Sequence, residues 1–178
     1  TLIEEFQYPR LGPGQMWDAF EARVADRGIP VHRHHRALTI HHDHSVVTGV
    51  TMQHDGRTIE VPVDAVLSSI ALSELVLSLE PEPPQEIVEA AERLRYRSLC
   101  LVALVIDREE PFPDNWIYLH DPDVRAGRVQ NFGAWSPDMV VPGKTCLGVE
   151  YFTFEGDDMW EMPDEEAVAR VRSRLQSA

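Results

Sequence analysis

Residues 114–137 concentrate the side chains able to recognise a ligand. Asp114-Asn115-Trp116-Ile117-Tyr118-Leu119-His120 is followed, after Asp121-Pro122-Asp123-Val124-Arg125-Ala126, by the stretch from Gly127 to Pro137. Two Trp, one Tyr, one Phe, two Asn and Arg128 fall in these two β-like runs. Successive strand side chains point to opposite faces, so Trp116 and Tyr118 share one face and Asn115 and Ile117 the other. In the second run Arg128, Gln130 and Phe132 alternate with Val129 and Asn131. Aromatic rings beside a guanidinium and several amides can line a pocket for a flat or anionic ligand. The same pattern also describes an amphipathic sheet with an ordinary aromatic core.

Other constellations carry less chemistry. His32, His34, His35, His41, His42 and His44 crowd one segment. A zinc site needs three or four ligands converging at about 2 Å, but no Cys joins this run and Arg33 and Arg36 interrupt it. Exposed histidines on strands are the plainer reading. No G-x-S-x-G surrounds Ser68-Ser69, so no serine nucleophile is marked. Asp157-Asp158 and Asp164-Glu165-Glu166 read as acids at helix starts rather than paired catalytic carboxylates. There is no G-x-x-x-x-G-K-[ST] and no G-x-G-x-x-G; Trp17 stands where a third glycine would follow Gly12 and Gly14.

The 178 residues suffice for a real core. Thirty acidic against sixteen basic residues give a net charge of −14, which disfavours nucleic acid and anionic membrane surfaces as partners. Cys100 and Cys146 lie in apolar runs without metal spacing and are expected to be buried free thiols, as suits a reducing cytoplasm. No apolar run reaches the length of a membrane span; the longest, 99–106, fits a buried central strand. The chain starts at Thr1 within structured-looking sequence, and a fragment of a longer protein is expected.

Periodicity supplies the elements that position these residues. Met16, Trp17, Phe20 and Val24 mark a helix that Gly28 ends. Strands are expected over 37–40, 46–52 and 57–63, with a turn at His54-Asp55-Gly56. Ala65 to Ile70 reads as a buried strand. Residues 73–79 and 84–95 read as helices, the second with Ile87, Ala90, Ala91 and Leu94 on its apolar face. Thr145 to Phe154 is a long strand, and Pro163 to Leu175 a helix with acids first and bases last. The expected fold class is α+β, a mixed, largely antiparallel sheet with flanking helices.

Three blocks resemble the FAD-dependent oxidoreductases of the amine oxidase and protoporphyrinogen oxidase type, a superfamily that includes UDP-galactopyranose mutase-like members. Tyr8-Pro9-Arg10-Leu11-Gly12-Pro13-Gly14-Gln15-Met16-Trp17, then a helix, Gly28 and Val31 to Ile40, is similar to that family's "YPxxGxG, helix, V, strand" block. Val63-Asp64-Ala65-Val66-Leu67-Ser68-Ser69-Ile70-Ala71-Leu72 is similar to its "aDxVISSxPL" strand, although Ala71 stands where the family often has Pro. Residues 115–118, 127–128, 135–137 and 148–152 resemble the substrate-domain sheet of mutase-like and desaturase-like members.

The resemblance implies substrate-domain architecture plus part of the FAD-domain sheet of a two-domain flavoprotein. Residues 1–80 would be the partial FAD-domain segment and 81–178 the substrate-domain segment. FAD would belong to the intact protein, with secondary contacts from the Ala37 backbone and from Ser68, Ser69 and Ile70. Trp116 and Tyr118 would meet a planar substrate group, and Arg128 its anionic part. The implied partner is a small molecule, nucleotide-linked or anionic in the mutase-like case. Without the G-x-G-x-x-G unit, this chain alone is expected neither to retain FAD nor to be active. Two alternatives stand beside the oxidoreductase: a mutase acting on a sugar nucleotide, and a cofactor-free binding domain.

Overall fold

The structure, a computed structural model, describes residues 6–175. In chain order the elements are α1 (Gly14–Ala25), β1 (Arg36–His42), β2 (Val47–His54), β3 (Arg57–Pro62), α2 (Leu72–Leu77), β4 (Leu79–Glu80) and α3 (Gln85–Glu92). Then come β5 (Ser98–Ile106), β6 (Trp116–Tyr118), β7 (Arg128–Asn131), α4 (Phe132–Trp135), β8 (Thr145–Thr153) and α5 (Asp164–Leu175). The class is α+β, as expected, with two largely antiparallel sheets. The chain divides into two compact units, one of residues 30–95 and one of residues up to 29 together with those from 96 onward.

In the 30–95 unit the strand order is β3-β2-β1-β4. The link from β2 to β3 is Asp55-Gly56, with φ of 47° and 75°. Positive φ at both central positions is the turn whose twist matches antiparallel strands, which is why Asp-Gly serves here. β4 pairs parallel to β1 through Ile40 and Leu79. Two expectations fail in this unit. Residues 65–70 form no strand among the described residues, and Leu67 is fully exposed. Their apolar composition is that of a strand, but a strand exists only through a partner's hydrogen bonds, and this stretch has none in either sheet. On α3 the buried pair is Val88 and Ala91, while Ile87 and Leu94 face outward. Val88 and Ala91 are three apart and share a face as well as the expected set does, so periodicity alone does not choose between the two stripes.

The other unit carries the sheet β5-β8-β7-β6, antiparallel throughout. β5 is therefore an edge strand rather than the central one its apolar run led us to expect. Its even-numbered residues turn inward, with Val102 and Leu104 buried, while Leu99, Leu101 and Val105 are exposed. Val102, Leu104, Val129, Leu147, Val149 and Tyr151 form the core face. Met159, Ala167 and Val171 pack into the same core. Each such large apolar side chain removed from water contributes about 1.5–3 kcal/mol. α5 keeps Asp164, Glu165 and Glu166 in its first turn and Arg172 and Arg174 in its last, opposite in sign to the helix dipole at each end.

Acid sensitivity follows from the loop before α5. Asp157 Oδ2 accepts from the Phe154 N–H at 2.9 Å and from the Thr153 hydroxyl at 2.9 Å. The Phe154 bond first, then the Thr153 bond, hold its carboxyl below the ordinary 3.8. Arg125 does the same for Asp158 through a bidentate pair, and Lys144 for Asp107. Native pKa values below the unfolded ones mean that this stability is fully present above pH 3.8 and is lost as pH falls through the native values. Urea unfolding midpoints should accordingly fall on acidification below pH 3.8, and less steeply in Asp157→Asn. Midpoints that stay flat through that range would refute this assignment.

Candidate functional site

Register builds the site. In an antiparallel pair, residues directly opposite share a face. Tyr118 faces Arg128, Arg128 faces Glu150, and Glu150 faces Leu101, so one row crosses all four strands. The next row is Trp116, Gln130, Gly148 and Ala103. These rows lie on the face opposite the core, and the alternation expected for Trp116, Tyr118, Arg128 and Gln130 is the one observed. Leu99, Leu101, Val105 and Phe152 sit on the same face at 45–67% exposure, so a broad part of it is apolar and uncovered. Gly148 lets the Phe132 ring and Leu101 close over the centre: a Cβ there would stand 2.9 Å from the ring and 3.0 Å from Leu101.

The second β-like run stops earlier than expected. β7 ends at Asn131, whose side chain accepts from the Ala134 N–H and so starts the single turn α4. That turn swings Trp135 over the sheet. Trp135 stacks on Trp116 with centroids 5.1 Å apart and planes 16° from parallel. Tyr8 packs against Trp135 at 4.7 Å and Phe6 at 5.6 Å. The N-terminal segment is held there by the Ser136 hydroxyl, which donates to the Arg10 carbonyl at 2.7 Å, and by an Arg10–Asp138 ion pair at 3.4 Å.

A polar chain runs beneath these rings. Arg128 Nε donates to Glu150 Oε2 at 2.6 Å, and Gln130 Nε2 donates to Glu150 Oε1. Trp135 Nε1 donates to Gln130 Oε1 at 2.9 Å. Glu150 is 2% exposed, and its partner Arg128 is 27% exposed in the side chain. The bond to Glu150 is the main reason the Arg128 guanidinium holds its proton more firmly than usual, with Tyr118 adding to it. The Arg128 guanidinium carbon lies 5.9 Å from the Tyr118 ring centre. An arginine set among apolar strand residues needs an anion, and within the fold that anion is Glu150.

The cofactor-contact candidates lie in the other unit. Ala37 is exposed near the start of β1, beside a register irregularity between Ala37 and Thr39. Ser68, Ser69 and Ile70 are exposed and outside any strand, and the Ser68 hydroxyl accepts from the Ile70 N–H at 3.4 Å. The structure thus brings Trp116, Tyr118 and Arg128 together and places Ala37, Ser68, Ser69 and Ile70 separately.

The histidine segment makes no hairpin pair as a set. His32 and His34 precede β1, and His35 stacks on His54 at 4.0 Å. Among the described residues no group of three or more His, Cys, Asp or Glu is arranged to hold a metal. Cys100 and Cys146 are free but only half-buried, because they lie on strands with one open face or a loosely filled core. A cavity of about 1030 Å3 lies on the core side of the sheet, lined by Leu104, Val129, Val149 and Val171 among others, away from Arg128 and the stacked rings.

Sequence reasoning missed Glu150 and Tyr8 as site residues, and it placed Gln130 and Trp135 in the ligand-recognising stretch without giving either a role. A signal for Glu150 was present: an acid at an alternating position in an apolar strand requires a partner on the same face. Trp135 had no such signal, since its position depends on where β7 yields to α4.

The sequence profile of the flavin-containing amine oxidoreductases matches residues 6–178. The chain belongs to that family. Among solved structures, a reduced UDP-galactopyranose mutase superposes with a TM-score of 0.71 at 15% identity, over 92% of this chain and 34% of that one. An oxidoreductase from Methanosarcina mazei superposes with a TM-score of 0.61 at 16% identity, over 93% and 36%. At these identities the likeness is one of fold, and the chain spans about a third of either structure's length. No curated protein matches.

Flavin is the group the amine oxidoreductase family implies, and the residues present fit part of it. Exposed backbone and two hydroxyls at 68–70 can contact a ribose or phosphate. A pyrophosphate cradle needs a strand, a glycine-rich turn and a helix N-terminus in succession. Gly12 and Gly14 lead into α1, but no strand among the described residues feeds into them, and a Cβ on Gly12 would stand 3.3 Å from the end of the Met139 side chain.

Proposed function

We propose that this chain is the substrate-sheet portion of a FAD-dependent oxidoreductase whose dinucleotide cradle lies in sequence outside it. The observation that carries this reading is the uncovered face of the β5-β8-β7-β6 sheet. It combines stacked indoles, exposed aliphatic side chains and one fixed guanidinium, in a chain of the flavin-containing amine oxidoreductase family. When bound, flavin would supply the redox step as the acceptor of a hydride from a substrate C–H bond, such as one next to a nitrogen.

The chain's own residues have three tasks in this reading. Trp116, Trp135 and Tyr118 hold a flat or apolar substrate by stacking and exclude water. Arg128, held by Glu150, orients one polar group of the substrate by hydrogen bonding. Ala37, Ser68, Ser69 and Ile70 make secondary contacts to FAD through backbone and hydroxyl groups. The substrate is a small molecule. The fold likeness to a UDP-galactopyranose mutase supports a second reading, a sugar-nucleotide substrate with its anionic part at Arg128. The cofactor-free alternative draws no support from the family match.

The protein encoded by the complete reading frame should purify yellow, with flavin absorbance that bleaches on anaerobic reduction. A folded, colourless product that takes up no added FAD would overturn the proposal.

A further inference from the structure

We propose that Glu150 is a specificity-determining positioning residue: by neutralising Arg128 beneath the aromatic face, it makes this face reject substrate groups carrying two or more negative charges. The inference rests on the reading above that the face receives substrate, and it concerns which class of substrate is taken.

A carboxylate at 2% exposure must be paired, because its hydration is gone. Its two oxygens are taken by Arg128 Nε and Gln130 Nε2. Gln130 cannot supply the missing charge, and its own oxygen is already committed to Trp135. Arg128 is therefore the counter-charge that Glu150 requires. Arg128 keeps its Nε on Glu150 and has its terminal NH2 groups left for a ligand, but its charge is already balanced by that carboxylate. With Arg128 in place, the pair presents nearly zero net charge to a ligand.

Among the described residues no second arginine or lysine stands in the adjoining rows, and His120 stacks on Tyr118 at 6.2 Å. The rows on either side hold Trp116, Tyr118, Leu101, Ala103, Gly148 and Phe152. Arg97, at the far end of β5, lies over the Phe154 ring at 5.6 Å. Multiply charged phosphates are recognised by forks of uncompensated arginines, and here one arginine is matched by one glutamate. The substrate class that fits is a neutral or singly charged, largely apolar molecule with one hydrogen-bond acceptor for Arg128.

The test uses the complete flavin-loaded protein, with UDP as probe in isothermal titration. The wild type should bind UDP weakly or not at all. Glu150→Gln keeps the shape and removes the charge, so UDP affinity should rise about tenfold or more. The gain should vanish in Arg128→Met/Glu150→Gln. No gain in Glu150→Gln, or a gain that persists in the double variant, overturns the inference. Should Glu150→Gln not fold, the charge-neutral Arg128→Met/Glu150→Met decides: UDP affinity equal to wild type supports the inference, and a loss of about tenfold refutes it. These outcomes are separate from the flavin reading, since a protein that holds flavin and binds UDP tightly through Arg128 refutes only the inference.

Discussion

Asn131→Ala is expected to lower stability by about 3 kcal/mol, because the mutation removes three hydrogen bonds made by one buried side chain. Asn131 is 2% exposed. Its Nδ2 donates to the Phe112 carbonyl at 2.8 Å, and its Oδ1 accepts from the Thr145 hydroxyl at 3.0 Å and the Ala134 N–H at 3.4 Å. Thr145 is itself 1% exposed, and its hydroxyl also accepts from the Gly133 N–H at 3.2 Å. The space is full: a Cβ on Gly133 would fall 2.5 Å from the Thr145 oxygen. Thr145→Val removes one hydroxyl but leaves Asn131 bonded to Ala134 and Phe112, so about half the cost is expected. Urea unfolding with an unchanged m-value measures both. A loss below about 1 kcal/mol for Asn131→Ala would mean that the network does not exist as described. The variant should also disturb the site, because α4 and hence Trp135 start from the Asn131 cap.

Met159→Ala should cost about 3 kcal/mol, within the range for emptying a buried methionine site. Met159 is 2% exposed and belongs to the cluster that includes Val149, Tyr151, Ala167 and Val171. It lies in the turn-rich segment between β8 and α5, so its packing ties α5 to the core face of the sheet. A linear side chain fills irregular gaps that branched ones do not, and Met159→Leu should therefore cost less than about 1.5 kcal/mol. Equal losses for Ala and Leu would show that shape rather than buried volume dominates there.

Alternation made much of the site's sheet legible before the structure. The period of two in residues 115–118, 128–131 and 146–152 places Tyr118, Arg128 and Glu150 on one face, and their opposition in register follows once the strands pair. Asp55-Gly56 marked its turn because only certain residues accept positive φ at both positions. What was not legible depends on neighbours far along the chain. The 65–70 segment has strand composition, yet strand structure requires a ladder partner. The apolar run of β5 reads equally as a central strand or as an edge strand with one bare apolar face, and the latter is observed. Arg128 announced its need for an anion, but an internal carboxylate and a ligand's phosphate satisfy that need alike in sequence. The position of Glu150 across from Arg128 is a fact of register, which only the fold supplies.

The central claim is a division of labour, with the substrate face on this chain and the flavin phosphate cradle elsewhere in the protein. Flavin released by denaturation can be quantified from two polypeptides after incubation with FAD and dialysis, residues 1–178 alone and the product of the complete reading frame. The account predicts one flavin per chain in the complete protein and none retained by residues 1–178. Full flavin retention by residues 1–178, or none by the complete protein, would contradict it.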